Sequence, residues 1–82
     1  MNAVQVAGPA GVRISVELAS QAFVYLMDSS NYQSFRHSQQ GRGAGGWYVR
    51  SPVRFTKPDS NDWYVIVYDK FGGHPRYRVT TG

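Results

Sequence analysis

Apolar residues recur at every second position in several short segments of the chain. In residues 12–18, Val, Ile, Val and Leu alternate with Arg, Ser and Glu, which is typical of a strand with one buried face. Residues 8–11 contain two glycines and a proline, and they predict a turn before this strand. A short first strand is expected within residues 3–7.

The next segment predicts a second strand followed by a short helix. Residues 22–27 are apolar on both faces. After Asp28, either Ser29 or Ser30 can cap a helix by accepting a hydrogen bond from a free backbone N–H. The helix is about two turns long and too short to be stable alone, so its aromatic residues are expected to pack on the sheet. Residues 39–41 are expected to end it.

The second half of the chain predicts four further β segments separated by turns. They cover residues 47–50, 53–56, 63–69 and 76–80, with a glycine-rich loop at 41–46 and turns at 57–61 and 71–75. Pro52 lies between the first two segments. Because proline donates no ladder hydrogen bond, it predicts a break, a bulge or an edge.

Together these segments predict one all-β domain over residues 1–82. About six or seven short antiparallel strands, with turns at regular spacing, favour a small β-sandwich or compressed barrel with one short helix. A chain of 82 residues leaves no room for a second core. The expected core is Val12, Ile14, Val16, Leu18, Val24, Leu26, Val53, Phe55, Trp63, Val65, Val67 and Val79.

Charge and composition narrow the possible partners only slightly. The net charge is +4, which fits an anionic partner or solubility alone. The chain has no cysteine and two histidines, so we expect no disulfide and no metal site. It lacks both an apolar stretch of ~20 residues and a signal-peptide pattern, so we expect a cytoplasmic protein that does not enter a membrane.

We expect no enzymatic activity and no cofactor. A catalytic nucleophile needs a base within hydrogen-bond reach, itself oriented by a third group, and the serines and histidines fall in no such motif. The carboxylates lie mostly in turn-forming segments. Residues 41–46 lack the Lys-Ser/Thr pair of a phosphate-binding loop, so we interpret them as a connection.

Three segments carry a resemblance to a known family. They are Leu-Met-Asp-Ser-Ser-Asn-Tyr at residues 26–32, Arg-Ser-Pro-Val-Arg at 50–54 and Trp-Tyr-Val-Ile-Val-Tyr-Asp at 63–69. Their order and spacing, over roughly residues 12–79, resemble the bacterial family known as domain of unknown function 1883. At residues 42–44 the chain has Arg-Gly-Ala, where that family usually has aromatic residues.

The resemblance implies an all-β domain that occurs free-standing or attached to Toll/interleukin-receptor-type domains. This second context implies a sensing or assembly role in bacterial signalling or defence. The resemblance implies no catalytic or binding residue, so the candidate site must come from the residues themselves.

The strand at residues 63–69 is the most informative candidate for a site. Both of its faces are apolar or aromatic, whereas each sheet of a two-layer sandwich has only one inner face. We therefore expect Tyr64, Ile66 and Tyr68 to form an outer patch, because tyrosine suits a half-wet surface. The alternative is that the helix packs over this face. Three other tyrosines could join the patch: Tyr25, Tyr48 and Tyr77.

Two further groups are candidates for ligand contacts. Arginine side chains can hold phosphates while aromatic rings stack on bases, and the candidates are Arg50, Arg54, Arg76 and Arg78, near Tyr48 and Tyr77. Asp28 and Asn31, with the serines between them, could hold polar groups of a sugar or nucleotide, or, with Asp69 as a second carboxylate, a calcium ion. They are also the residue types expected at a strand-to-helix corner.

The leading interpretation is a non-catalytic recognition or assembly module of unknown ligand. It would bind itself, as a homo-oligomer joined through an aromatic sheet face, or another protein. The alternative is binding of an anionic ligand, a nucleotide or single-stranded nucleic acid, by an arginine and tyrosine surface. Salt separates the two, because phosphate contacts weaken steeply as salt rises and apolar burial does not.

Overall fold

The computed structural model describes residues 3–38 and 41–82. Within them it contains seven strands and one helix, and the all-β class with one short helix is confirmed. The elements in chain order are β1 (Ala3–Val6), β2 (Arg13–Leu18), β3 (Ala22–Asp28), α1 (Ser29–Ser38), β4 (Ala44–Tyr48), β5 (Val53–Thr56), β6 (Trp63–Tyr68) and β7 (Tyr77–Thr81).

The strands form two antiparallel sheets that pack face to face as a sandwich. Sheet A has the strand order β1-β6-β3-β4, and sheet B has the order β5-β2-β7. In sheet A, Phe23 of β3 lies opposite Tyr68 of β6 and Trp47 of β4. In sheet B, Val16 of β2 lies opposite Val53 of β5 and Val79 of β7.

Alternate residues of both sheets point into the space between them and form the main core. Every side chain that the alternation pattern placed in the core is buried there or packs against the buried cluster. Val6 and Ala22 are buried there as well. The strand periodicity therefore predicts the inner faces of both sheets.

Helix α1 begins at once after β3, and its cap differs from the prediction. The Asn31 N–H donates to Asp28 Oδ1 at 2.8 Å, so Asp28 is the cap, and the expectation of Ser29 or Ser30 is wrong. The carboxylate satisfies one of the backbone donors that the first turn of a helix leaves unpaired. The expected helix end at residues 39 and 40 lies outside the described residues.

The helix packs on the outer face of sheet A and creates a second, smaller core. Phe35 is the buried residue of α1, and it clusters with Met27 of β3 and Ile66 of β6. Burying these side chains stabilises a helix that is too short to persist alone.

Strand β4 begins inside the segment that was predicted to be a loop. Ala44–Tyr48 pairs with β3, although glycines give no alternating pattern from which a strand is predicted. Gly45 has a φ of 138°, and a Cβ there would collide with the Val24 carbonyl oxygen. Only glycine fits this close approach. β4 ends before Pro52 and β5 starts after it in the other sheet, so the predicted break is confirmed.

Candidate binding surfaces

The outer face of sheet A carries aromatic side chains on three adjacent strands. The Phe23 ring lies edge-on to Trp47, with centroids 4.9 Å apart, and is stacked with Tyr68 at 5.1 Å. Tyr25 is stacked with Tyr68 at 6.1 Å. These four side chains, Phe23, Tyr25, Trp47 and Tyr68, are called the aromatic row below. Such contacts fix the rings relative to one another.

Helix α1 covers the neighbouring part of this face and leaves the aromatic row half open. Ile66 is fully buried in the cluster of Phe35, and Tyr64 is stacked under Tyr32 with centroids 4.3 Å apart. Trp47 remains 39% exposed. The alternative of a covering helix therefore holds for Tyr64 and Ile66, and the predicted outer patch is wrong for them. Of that set, Tyr68 alone belongs to the aromatic row.

The phenol of Tyr68 lies in a partly apolar setting. Burial raises its pKa above the ordinary value of 10.0, and the neighbouring Tyr25 raises it further. The Tyr68 hydroxyl therefore stays neutral at physiological pH, so Tyr68 adds apolar surface and an uncharged hydroxyl to the aromatic row.

Tyr48 and Tyr77 do not join this surface. Both pack against the core between the sheets, since Tyr48 lies opposite Ala22 and Tyr77 lies opposite Leu18. Burial also raises the pKa of Tyr77. Their predicted place on an outer patch is therefore wrong, although Tyr77 does line a shallow pocket together with Arg76 and Arg78. For Tyr77 the alternation itself carried the signal, because Tyr77 lies two residues before Val79 and shares its inner face.

The outer face of sheet B collects arginines that are far apart in the sequence. Arg13 of β2, Arg54 of β5 and Arg78 of β7 are all exposed, at positions that alternate with core residues. Arg76 continues the same ladder, because the Ala19 N–H donates to its carbonyl oxygen at 3.1 Å. These four side chains, Arg13, Arg54, Arg76 and Arg78, are called the arginine face below.

The arginine face has a strong excess of positive charge. Glu17, opposite Arg78, is the one acidic residue in the strands of sheet B. Arg50, a predicted member, lies instead in the bend between β4 and β5. The fold thus gathers charge that looks dispersed along the chain, and it adds Arg13, which the sequence analysis did not select.

Asp28 and Asn31 form a hydrogen-bonded corner at the end of β3. The Asn31 N–H and Nδ2–H both donate to Asp28 Oδ1, at 2.8 and 3.0 Å. Asn31 Oδ1 in turn accepts a hydrogen bond from the Arg42 N–H at 2.9 Å. The corner ties α1 to the segment that enters β4, so the structural role expected for these residues is present.

A cleft of about 620 Å³ opens beside this corner, between the ends of the two sheets. Its lining comprises Leu26, Asp28, Asn31, Arg42, Gly43, Ala44, Arg54, Phe55, Thr56, Pro58 and Trp63. Arg54 is the member of the arginine face that also reaches this cleft. The predicted site residues Asp28, Asn31 and Arg54 are thereby brought together.

Two features are absent from the described residues, 3–38 and 41–82. No three His, Asp or Glu side chains among these residues lie together as the ligands of a metal ion would. In this part of the chain no helix has the length and apolar character needed to cross a membrane.

Comparison with known proteins gives a family for the chain. Neither the curated proteins nor the solved structures contain a match. The sequence model of the family described as domain of unknown function (DUF1883) matches residues 8–81. This match takes in all of the sandwich except β1, and the chain therefore belongs to the DUF1883 family.

Proposed function

We propose that this domain is a non-catalytic recognition and assembly module that pairs with a second copy of itself. The single observation that carries the proposal is the half-open aromatic row beside the free edge of β4. An exposed apolar patch of this kind is typical of an interaction surface. Signalling or defence, as the family resemblance implies, is the setting that we propose for such assembly.

Strand β4 is an edge without the usual protection. An edge strand presents unpaired N–H and C=O groups, and proteins normally block such edges with charged residues or proline. β4 reads Ala-Gly-Gly-Trp-Tyr, with neither, whereas the edge strands β5 and β7 each contain an arginine. β1 is also uncharged, but its outward Ala3 packs against the cluster beneath the helix.

Antiparallel pairing of two β4 strands would join the two copies across a two-fold axis. Sheet A has four strands, so this pairing would produce one continuous sheet from both chains. It would also bring the two Trp47 side chains together and continue the aromatic row from one copy to the other. Val49, 61% exposed just beyond β4, would lie at the same junction.

Native mass spectrometry at low and high salt tests this proposal. We expect a dimer that persists at high salt, because apolar burial and backbone hydrogen bonds are little screened. Trp47→Lys and Val49→Lys should both give monomers, since each places a charge at the junction. Thr80→Lys, on the edge strand β7 of the other sheet, is the matched control and should remain dimeric.

Two results contradict self-association through the β4 edge. One is a wild-type monomer in both salts across a range of protein concentrations. The other is a dimer that survives in both Trp47→Lys and Val49→Lys, because the contact would then lie elsewhere. Val49→Lys guards against a folding defect, since an exposed residue outside the strands is replaced.

Binding of an anionic ligand is the second candidate function, and the arginine face favours it. The tyrosines predicted to stack on bases point inward, so this face would contact phosphates rather than bases. Fluorescence anisotropy with single-stranded DNA should show affinity that falls steeply with salt. The double variant Arg76→Gln/Arg78→Gln should weaken it, and Arg36→Gln on α1 should not. Salt-independent binding would contradict this candidate.

A further inference from the structure

The cleft between the sheet ends exists because the chain places very small residues on one of its walls. Ala44 lies opposite Leu26 in the β3–β4 ladder and contributes only a methyl group. Gly43 lies directly against β3, where a Cβ would be 2.7 Å from the Leu26 carbonyl oxygen. Larger residues at these two positions would fill the space or push β4 away. The volume of about 620 Å³ is within the range of small-molecule sites.

One rim of the cleft is polar and rigid. Both hydrogen bonds from Asn31 end on Asp28 Oδ1, which leaves Oδ2 with its lone pairs for a donor outside the corner. Asn31 also holds the Arg42 backbone, so Arg42 projects from a fixed position. The corner therefore presents an acceptor and a cation side by side.

The opposite rim supplies a second cation, a hydroxyl and two aromatic rings. Arg54 and Thr56 flank Phe55 on β5, and all three line the cleft. The Trp63 indole completes this wall, and its Nε1–H donates to Asp59 Oδ1 at 2.8 Å. Because the indole nitrogen is already bonded, the ring offers its apolar surface to an occupant.

The charges and shapes of this lining select a class of ligand. The lining contains two arginines and one carboxylate, so it favours an anion, and a guanidinium can pair with phosphate through two parallel hydrogen bonds. Oδ2 of Asp28 can accept a hydrogen bond from a ligand donor such as a hydroxyl. Half-buried Phe55 and Trp63 suit the apolar face of a ring.

We propose that the cleft binds a small phosphorylated ligand with a hydroxyl-bearing ring, of the class of nucleoside monophosphates and sugar phosphates. The phosphate lies between Arg42 and Arg54, a ring hydroxyl donates to Asp28 Oδ2, and the ring lies against Phe55 and Trp63. Of the β4 strand proposed for self-association, only Ala44 lines this site, and the site uses no residue of the aromatic row.

Isothermal titration calorimetry with four probes tests the site: uridine monophosphate, ribose 5-phosphate, uridine and inorganic phosphate. We expect uridine monophosphate to bind, and uridine and inorganic phosphate to bind much more weakly. The affinity for ribose 5-phosphate, compared with that for uridine monophosphate, distinguishes the two ligand classes. Equal affinity assigns the cleft to sugar phosphates, and weaker binding shows that the base contacts the aromatic wall.

Substitutions of single lining residues, with one control outside the lining, test whether the ligand binds in the cleft. Arg54→Gln and Arg42→Gln should each weaken binding roughly tenfold or more, because each removes a charged hydrogen-bond partner of the phosphate. Asp28→Asn should weaken it too while retaining an N-cap side chain. Arg13→Gln is the control, since Arg13 is also an outward arginine of sheet B but does not line the cleft.

Three results overturn the assignment. The first is no binding of uridine monophosphate or ribose 5-phosphate to the folded wild-type chain. The second is equal loss in Arg13→Gln and Arg54→Gln, which would place the ligand on the arginine face. The third is full affinity in Ala44→Leu, because this side chain should fill the cleft.

Discussion

Lys57 is a buried charged residue in a segment that the sequence predicted to be a turn. It is 1% exposed, and its Nζ donates to the Gly8 carbonyl oxygen. Its backbone also bonds across the same gap, because Lys57 N–H donates to Val12 O and Gly11 N–H donates to Lys57 O, both at 2.9 Å. The side chain therefore fastens the turn before β2 to the end of β5.

Replacing Lys57 with methionine should lower the free energy of unfolding by about 1–3 kcal/mol. Methionine retains most of the packing of the aliphatic stem but leaves the Gly8 carbonyl oxygen without its charged donor. Guanidinium denaturation measures the change, and Lys70→Met, at an exposed lysine, is the control. A stability within about 0.5 kcal/mol of wild type would show that this hydrogen bond is not needed.

Asp59 gives the fold a dependence on acid pH. Its Oδ1 accepts hydrogen bonds from the Trp63 indole N–H and the Asn61 N–H. These bonds, that from Trp63 first, lower the pKa of the carboxyl below its ordinary value of 3.8. A lowered pKa in the folded state means that the stabilising contribution is present above 3.8 and is lost as the pH falls through the folded value.

The variant Asp59→Asn should therefore lose less stability than wild type on acidification. Asparagine can keep an oxygen acceptor for Trp63, but it does not titrate, so the two stability curves should converge below about pH 4. Urea denaturation at a series of pH values, followed by tryptophan fluorescence, measures both curves. Asp62→Asn is the exposed control and should follow wild type. Parallel curves for Asp59→Asn and wild type would contradict the role assigned to this carboxylate.

At the scale of elements, strand alternation was informative and the glycine segment was not. Periodicity in residues 12–18 and 63–69 reports which face is buried, because a strand turns successive side chains to opposite faces. Alternation does not predict β4, because two of its five residues are glycines and have no side chain to bury. At Gly45 the close approach of the β3 backbone requires glycine.

Gly45→Ala should disrupt the β3–β4 ladder more than Gly46→Ala does. Both glycines have positive φ, 138° and 156°, so both variants carry a backbone strain of about 1 kcal/mol or more. A Cβ at Gly45 also meets the Val24 carbonyl oxygen, whereas nothing lies within 4 Å of one at Gly46. Hydrogen exchange of the Val24 and Leu26 amides measures the ladder. Equal exchange in the two variants would refute the steric argument.

Helix length explains why half of the sheet face stays open. α1 has 10 residues, which corresponds to about 15 Å at 1.5 Å per residue. It packs on Ile66 and Tyr64, whereas Phe23 and Trp47 are not part of the cluster beneath it. The sequence predicted either an open aromatic patch or a helix that covers it. Both are present, because the helix is too short to cover all of the aromatic residues.

At the scale of the whole molecule, the surfaces depend on register between strands that are distant in sequence. Phe23 meets Trp47 and Tyr68 only because β3 lies between β4 and β6. Arg13, Arg54 and Arg78 share a face for the same reason, since β2 lies between β5 and β7. One strand's pattern gives the face of each residue but not its neighbours. The fold class was therefore predictable, and the membership of each surface was not.

Self-association would also change the thermal stability of the whole molecule. A domain of 82 residues buries a modest fraction of its surface, so its own stability is limited. A partner that binds only the folded state adds stability in proportion to the logarithm of concentration. For a dimer, a tenfold rise in protein concentration raises the free energy of unfolding by about 1.4 kcal/mol, or about 0.7 kcal/mol per chain.

The melting temperature of the wild-type chain should accordingly rise by roughly 3–6 °C for each tenfold rise in protein concentration. Trp47→Lys should melt at one temperature throughout, because a monomer unfolds without a change in particle number. Scanning calorimetry over a hundredfold range of concentration measures both, with Thr80→Lys expected to follow wild type. A constant melting temperature for wild type would mean that the aromatic row is left open for a different protein, and the β4 edge would then be the surface on which to seek that partner.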